Sequence, residues 1–311
     1  MTEQAKPILL VALGGNALIR KGQQGTIEQQ FENLRVPLRQ IASLSRDFRI
    51  IITHGNGPQV GNLLLQQECC REAPRLPLEI LVAQTEGQIG YMIESTLDGQ
   101  LMALGMGSKL LVSLITYVVV DEDDPAFAAP SKPIGPAYTE EQAAGLGFPT
   151  VWTAKGYRRV VASPRPISVV ERREIRKLID MDFIVICCGG GGIPVIREER
   201  GFHGVDAVID KDWASQCLAE EVGVDVFVIA TDVPGTMVRF GQEGQRMLRR
   251  LKTAEAAALI EQGHFPEGSM LPKVQAAMHF VANTGKRGII CSIQDIAAAV
   301  QCQAGTELRV E

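Results

Sequence analysis

Six short aliphatic runs, each apolar at both odd and even positions, constrain this chain more than any other feature. They lie at residues 8–13, 50–53, 110–120, 183–188, 224–230 and 288–291. A strand apolar on both faces must be covered on both faces. Such runs therefore predict a largely parallel sheet packed between helices. The intervening segments carry the helices. Ile27, Phe31, Leu34, Leu38, Ile41 and Leu44 recur at spacings of three and four, with Thr26 near the start. A second helical pattern runs through residues 78–97. A third follows Pro272-Lys273, with Val274, Met278 and Val281 on one face. The βαβα rhythm indicates an open α/β fold.

One stretch breaks the rhythm. Residues 121–166 hold seven prolines and open on four consecutive acidic residues, Asp121 to Asp124. Proline at that density is poorly compatible with a central strand or a helix interior. The stretch reads as an excursion from the sheet, and Tyr138, Trp152 and Tyr157 give it side chains to pack with. It is expected to be an ordered protruding subdomain, a lid, inserted in a single domain spanning 1–311.

Three glycine-rich segments follow predicted strands: Gly14-Gly15-Asn16-Ala17, His54-Gly55-Asn56-Gly57-Pro58-Gln59 and Gly189-Gly190-Gly191-Gly192-Ile193-Pro194. In a parallel sheet these fall at the carboxyl ends of strands, where open α/β folds bind ligands. Glycine lets consecutive backbone N–H groups converge on an anion. Three such loops point to an anion site. Neither a G-x-x-x-x-G-K-[ST] P-loop nor a G-x-G-x-x-G opening the first helix is present. Positive charge for a polyphosphate must therefore come from elsewhere, and three lysines are placed for it. Lys132 lies inside the excursion. Lys211 stands between Asp210 and Asp212 at the start of a helix predicted over 213–220. Lys273 opens the third helix. A lysine at a helix N-terminus opposes the helix dipole, which is understandable if it faces a polyanion.

Composition sets outer limits. The chain has 311 residues and a net charge of −5, with a pI near 5.6. That argues against a nucleic-acid or anionic-membrane partner. The longest apolar run falls well short of the roughly 20 residues a spanning helix needs, so a cytosolic protein is expected. Seven cysteines without a C-x-x-C pair read as reduced, mostly buried thiols. Among the four histidines, only His54 sits in a candidate loop, and no pair has metal-ligand spacing.

The segments ALGGNAL (12–18), THGNGPQVG (53–61), KPIGPAY (132–138), VVASPRP (160–166), CCGGGGIPV (187–195), GVDAVIDKD (204–212) and GSMLPKV (268–274) together closely resemble the carbamate kinases, a branch of the amino acid kinase superfamily. The matches are in order and span nearly the whole chain. The resemblance implies a three-layer αβα sandwich around a mostly parallel eight-stranded sheet, with a protruding subdomain, and a homodimer. It implies ATP or ADP with Mg²⁺, and reversible phosphoryl transfer between ATP and carbamate to give ADP and carbamoyl phosphate, used towards ATP in arginine fermentation. By residue, it implies that Gly14, Gly15 and Asn16 line the phosphates, and that Gly55, Asn56 and Gly57 hold the carbamoyl end. Lys132, Lys211 and Lys273 would act on the transferring phosphoryl, with Asp212 positioning the lysines. Gly190, Gly191, Asp210, Thr231, Asp232 and Met270 would go with the nucleotide.

Carbamate is already an anionic nucleophile, so this chemistry requires no general base and the idle histidines fit it. Two departures fall in the nucleotide half. Leu271 stands where the family has glycine, and residues 234–240 read Pro-Gly-Thr-Met-Val-Arg-Phe. The alternatives are a kinase of the same fold for another small acid, and a catalytically weak nucleotide-binding regulator.

Overall fold

The computed structural model describes residues 5–70, 72–153 and 156–311. Residues 1–4 and 71 of the single domain expected over 1–311 therefore lie outside the described residues, as do residues 154–155 of the excursion. The central sheet has eight strands: β1 (Ile8–Leu13), β2 (Arg49–His54), β3 (Leu111–Ser113), β4 (Ile184–Ile186), β5 (Val226–Thr231), β6 (Arg250–Lys252), β7 (Arg287–Ser292) and β8 (Thr306–Arg309). Their order across the sheet is β6-β8-β7-β5-β1-β2-β4-β3. Every neighbouring pair is parallel except β7–β8. The expected α/β sandwich with a mostly parallel sheet is what forms.

Strand β1 shows why. All six of its residues are buried. Ile8, Leu10 and Ala12 enter one apolar cluster, whereas Leu9, Val11 and Leu13 enter the other. The two-residue period of the strand sends alternate side chains to opposite faces, and each fully buried Leu or Ile contributes about 1.5–3 kcal/mol. One face is covered by α1 (Ile27–Leu44) and α3 (Leu78–Ala103), the other by α4 (Lys211–Glu221) and α5 (Met270–Thr284). Thr26 caps α1 with a reciprocal capping box to Gln29. Helix α2 (Gly57–Cys69), for which no helical pattern is identified in the sequence, starts directly from the second glycine segment with Pro58 in its first turn.

The run at 110–120 is not one strand. It breaks after Ser113, and Tyr117–Val120 joins a separate four-stranded sheet with Pro166–Val169, Ile193–Glu198 and Gly201–Gly204. The break ends at fully buried Thr116, whose N–H and hydroxyl go to Glu86 while its carbonyl accepts from Ile193 N of the second sheet at 2.9 Å. Ile193–Glu198 lies inside that sheet despite Pro194. Val195–Gly204 is the last antiparallel pair; Val205 N still donates to Pro194 O at 3.0 Å, so the missing N–H of Pro194 falls at the very end of that ladder.

Residues 121–166 contain a three-stranded antiparallel sheet, Lys132–Tyr138, Gly156–Val161 and Thr150–Thr153, with Gly156–Val161 in the middle. Pro133 and Pro136 sit on an edge strand, where a missing N–H is tolerated. Ile134 and Val161 pin this sheet to α2 and α3 through a third apolar cluster. At Gly61 of α2 the approach is so close that an added Cβ would lie 2.5 Å from Gly135 Cα.

Of the seven cysteines, Cys187, Cys188 and Cys291 are buried and Cys217 is half-buried, but Cys69, Cys70 and Cys302 are exposed. The expectation of mostly buried thiols holds only for the four on the sheet and its covering helices.

Candidate active site

Four neighbouring parallel strands, β5, β1, β2 and β4, end side by side. Their carboxyl ends set Thr231 and Asp232, Gly14 to Asn16, Gly55 to Gly57, and Gly189 to Gly191 in a row. Continuing ladder bonds hold the row together. Gly14 N donates to Ala230 O at 3.0 Å and Gly55 N donates to Leu13 O at 3.0 Å. Two of its glycines leave little room for a side chain: a Cβ on Gly14 would lie 3.1 Å from Ala230 O, and one on Gly55 3.3 Å from Lys211 Cδ.

At one end of the row is a cavity of about 360 Å³. Asn16, Thr231, Asp232, Met270 and Lys273 reach its wall, together with Gly235, Met237 and Phe240. The departing segment 234–240 therefore forms part of this wall. Leu271 does not. Its side chain packs on the core behind Met270, and its N–H donates to Pro266 O at 3.1 Å.

Between the cavity and the glycine row lie the charges. Asp212 is 2% exposed. Lys273 Nζ donates to its Oδ2 at 3.0 Å, and Lys211 Nζ donates to its Oδ1. Asp210 caps α4 by accepting from Asp212 N at 2.9 Å, and takes Lys132 Nζ at 3.1 Å on its other oxygen. Lys132 also donates to Ile209 O at 3.3 Å. Three ammonium groups thus meet two carboxylates, leaving one positive charge in excess. Burial pushes both aspartates up, but the lysines more than offset it and hold them below the ordinary carboxylate range. Burial pulls Lys211 down despite Asp212, whereas burial of Lys273 is outweighed by Asp212, Asp210 and Asp232 together, which leaves it above its usual value. The two lysines against the helix dipoles are thus each held by Asp212.

At the other end, Asn56 is 2% exposed, and its Nδ2 donates to Thr85 Oγ at 2.9 Å. A Cβ on Gly190 would overlap the Asn56 amide, and Gly190 holds φ +66. Gly190 and Gly191 are expected with the nucleotide. In the structure Gly190 lies against Asn56 and Gly191 against Ile209, and neither lines this cavity. Asp210 likewise sits in the lysine cluster, not on that wall. The reason is strand order: β4 lies two strands beyond β1, on the side opposite β5.

Four polar residues near the site carry no motif and escape the sequence reading: Thr85, Glu86, Thr116 and Ser215. All are buried. Ser215 Oγ lies 2.6 Å from Thr53 Oγ and donates to Lys211 O at 2.6 Å, tying α4 to β2. The available signal was a Thr-Glu pair in the middle of an apolar helical face. His54 Nδ1 donates to Gly55 O at 3.3 Å, and burial brings its pKa down to about 4, so the ring is neutral.

Comparisons with known proteins identify the family. The family profile of the amino acid kinase family matches residues 7–292. Carbamate kinase from Pyrococcus furiosus is 44% identical over 309 residues, covering 96% of this chain and 98% of that protein. Carbamate kinase from Giardia lamblia bound to citric acid superposes with a TM-score of 0.92 at 38% identity, covering 98% of this chain and 99% of that one. The same Giardia enzyme bound to AMP-PNP gives 0.90, with the same identity and coverage. The chain belongs to the amino acid kinase family and, within it, to the carbamate kinases.

Proposed function

We propose that the carbamate kinase activity of this chain runs through the lysine cluster on Asp210 and Asp212, with the nucleotide in the 360 Å³ cavity and carbamate at the Gly55–Asn56–Gly57 turn. One observation carries this reading. Asp212 bridges Lys273, on the cavity wall, to Lys211, whose aliphatic chain lies against Gly55. A phosphoryl group passing from one site to the other crosses these two ammonium groups. They and the backbone N–H of Gly15, which has no partner in the ladder that holds Gly14, stabilise charge spread over its equatorial oxygens. Carbamate attacks with an oxygen that is already anionic, so no side chain has to remove a proton.

The AMP-PNP-bound Giardia relative supports the nucleotide assignment. Asp210 and Asp212 are already engaged by lysines, which suits a Mg²⁺ that arrives with the nucleotide and keeps the phosphates as ligands. Asp232, on the cavity wall, is the carboxylate placed to share it. When bound, the ion neutralises phosphate charge.

Lys132 comes from the inserted sheet of residues 121–166, which we read as a lid. Its bond to Asp210 is what a lid lysine would exchange for a phosphoryl oxygen. We infer that the cytoplasmic enzyme works towards ATP, as a homodimer. Tyr91, Leu110 and Ile115, exposed together beside edge strand β3, are the surface to test by sedimentation. No helix among the described residues is long and apolar enough to cross a membrane.

The deciding assay is ATP formation from ADP, Mg²⁺ and carbamoyl phosphate, by wild type and by Lys132→Ala. Loss of turnover with retained nucleotide binding is expected. Unchanged turnover would remove Lys132 from the chemistry.

A further inference from the structure

Helix α3 buries an almost wholly apolar face: Leu81, Val82, Ile89, Met92 and Ile93 are at most 1% exposed. Thr85 and Glu86 interrupt it, at 0% and 2% exposure. Burying a hydroxyl and a carboxyl in such a place costs several kcal/mol unless both are bonded. Apart from Val82 O on the same helix, their partners lie on connecting segments beside the site: Asn56, Thr116 and Gly189.

Thr85 Oγ donates to Val82 O at 2.8 Å, one turn back along α3. With its only proton committed, the hydroxyl can only accept from Asn56. The Asn56 Nδ2 group must therefore face α3, as it does at 2.9 Å, and Oδ1 is turned away as a free acceptor. Glu86 meets Thr116 twice, accepting from the hydroxyl at 2.9 Å and from the backbone N–H at 3.1 Å. It also accepts the backbone N–H of Gly189. Thr116 Oγ in turn accepts from Cys188 N at 2.6 Å. These bonds hold the turn that starts at Cys188, whose φ of +49 is unusual for a residue with a side chain. The next glycine of that turn, Gly190, closes on the other side of the Asn56 amide. Two adjacent residues of one helix thus clamp one side chain.

We propose that Thr85 and Glu86 are positioning residues for the carbamoyl group. Thr85 orients the Asn56 amide so that its oxygen accepts from the carbamoyl NH₂, and Glu86 holds the Cys188–Gly190 turn against that amide. The proposal rests on the assignment of Asn56 to the carbamoyl end. It adds a source of selectivity: an acetyl group, with a methyl in place of NH₂, cannot donate to the oriented oxygen.

The test compares carbamoyl phosphate and acetyl phosphate as phosphoryl donors to ADP. Thr85→Val keeps the shape but removes the accepting oxygen. It should raise KM for carbamoyl phosphate about tenfold and lower the carbamoyl-to-acetyl preference by a similar factor, with KM for ADP within about twofold of wild type. Thr85→Ser should restore both. Glu86→Leu should show the same split, and Glu86→Gln, which can still accept from Thr116 N and donate to the hydroxyl, should retain wild-type constants. The proposal is overturned if Thr85→Val and Glu86→Leu leave the preference unchanged, or if they raise both KM values together. Should Thr85→Val not fold, the contrast between Glu86→Leu and Glu86→Gln decides. Asn56→Ala separates the two levels. If it leaves KM for carbamoyl phosphate unchanged, the assignment of Asn56 fails. If it raises that KM and Thr85→Val does not, only the positioning role fails.

Discussion

Asp212→Asn is the substitution with the largest effect that can be worked out beforehand. The carboxylate is 3% exposed and takes one ammonium on each oxygen, from side chains only 10% and 16% exposed. An amide of the same shape offers one acceptor, so one buried ammonium is left facing an NH₂ group. Removing one member of a buried charge cluster costs about 3–5 kcal/mol, because the remaining charge is left uncompensated. The local excess rises from one positive charge to two. For a 311-residue chain, an unfolding entropy of about 2.1 cal/mol/K per residue is about 0.65 kcal/mol/K, so the expected fall in Tm is about 5–8 °C.

The sign of the pH dependence is a second check. Burial already lowers Lys211 in the wild type, and loss of Asp212 lowers it further. The folded variant then binds fewer protons than the unfolded chain, whose lysines titrate near 10.4. Its stability deficit must shrink as pH rises towards that value. Scanning calorimetry and urea unfolding at fixed protein concentration, at pH 7 and pH 9.5, measure both effects. A Tm within about 1.5 °C of wild type, a change near 1 kcal/mol, would refute the claim that Asp212 is the buried counter-charge of the cluster.

Other consequences follow from the same geometry. Lys211→Ala should lower turnover at least ~10²-fold, by analogy with losing one preorganised oxyanion donor, as read by steady-state ATP formation with retained ADP binding. Gly190→Ala must place a Cβ on the Asn56 amide at φ +66, so KM for carbamoyl phosphate should rise while the cavity for ADP is spared. Burial pushes Glu86 from the usual 4.5 up to about 8. Its contribution to stability is therefore complete below 4.5 and lost as pH rises to about 8, by a few kcal/mol at most. Glu86→Gln should flatten the decline of the urea midpoint between pH 5 and 8, and parallel curves would refute the assignment. His54, brought down to about 4 by burial, acts in the opposite direction, destabilising the fold as pH falls from 6.5 towards 4. Titrating a His54→Asn variant should show less acid sensitivity.

What the sequence determined by itself is local and periodic. The two-residue alternation of β1 specified burial on both faces, and hence a sheet between two helical layers. The helical spacing from Ile27 to Leu44 and the cap at Thr26 specified α1. Glycine after a strand, and lysine beside aspartate at a helix start, marked the candidate anion site, because those features depend on residues adjacent in the chain. What only the tertiary structure decided depends on which strands are neighbours. The order β5-β1-β2-β4 set Gly190 against Asn56 rather than on the wall of the cavity proposed for the nucleotide. It brought Lys132, Asp210, Asp212 and Lys273 together from three separate parts of the chain. It also gave Thr85 and Glu86 partners 29 and 30 residues away. A buried threonine or glutamate carries no periodic signature, since its cost and its use both lie in hydrogen bonds to residues remote in sequence.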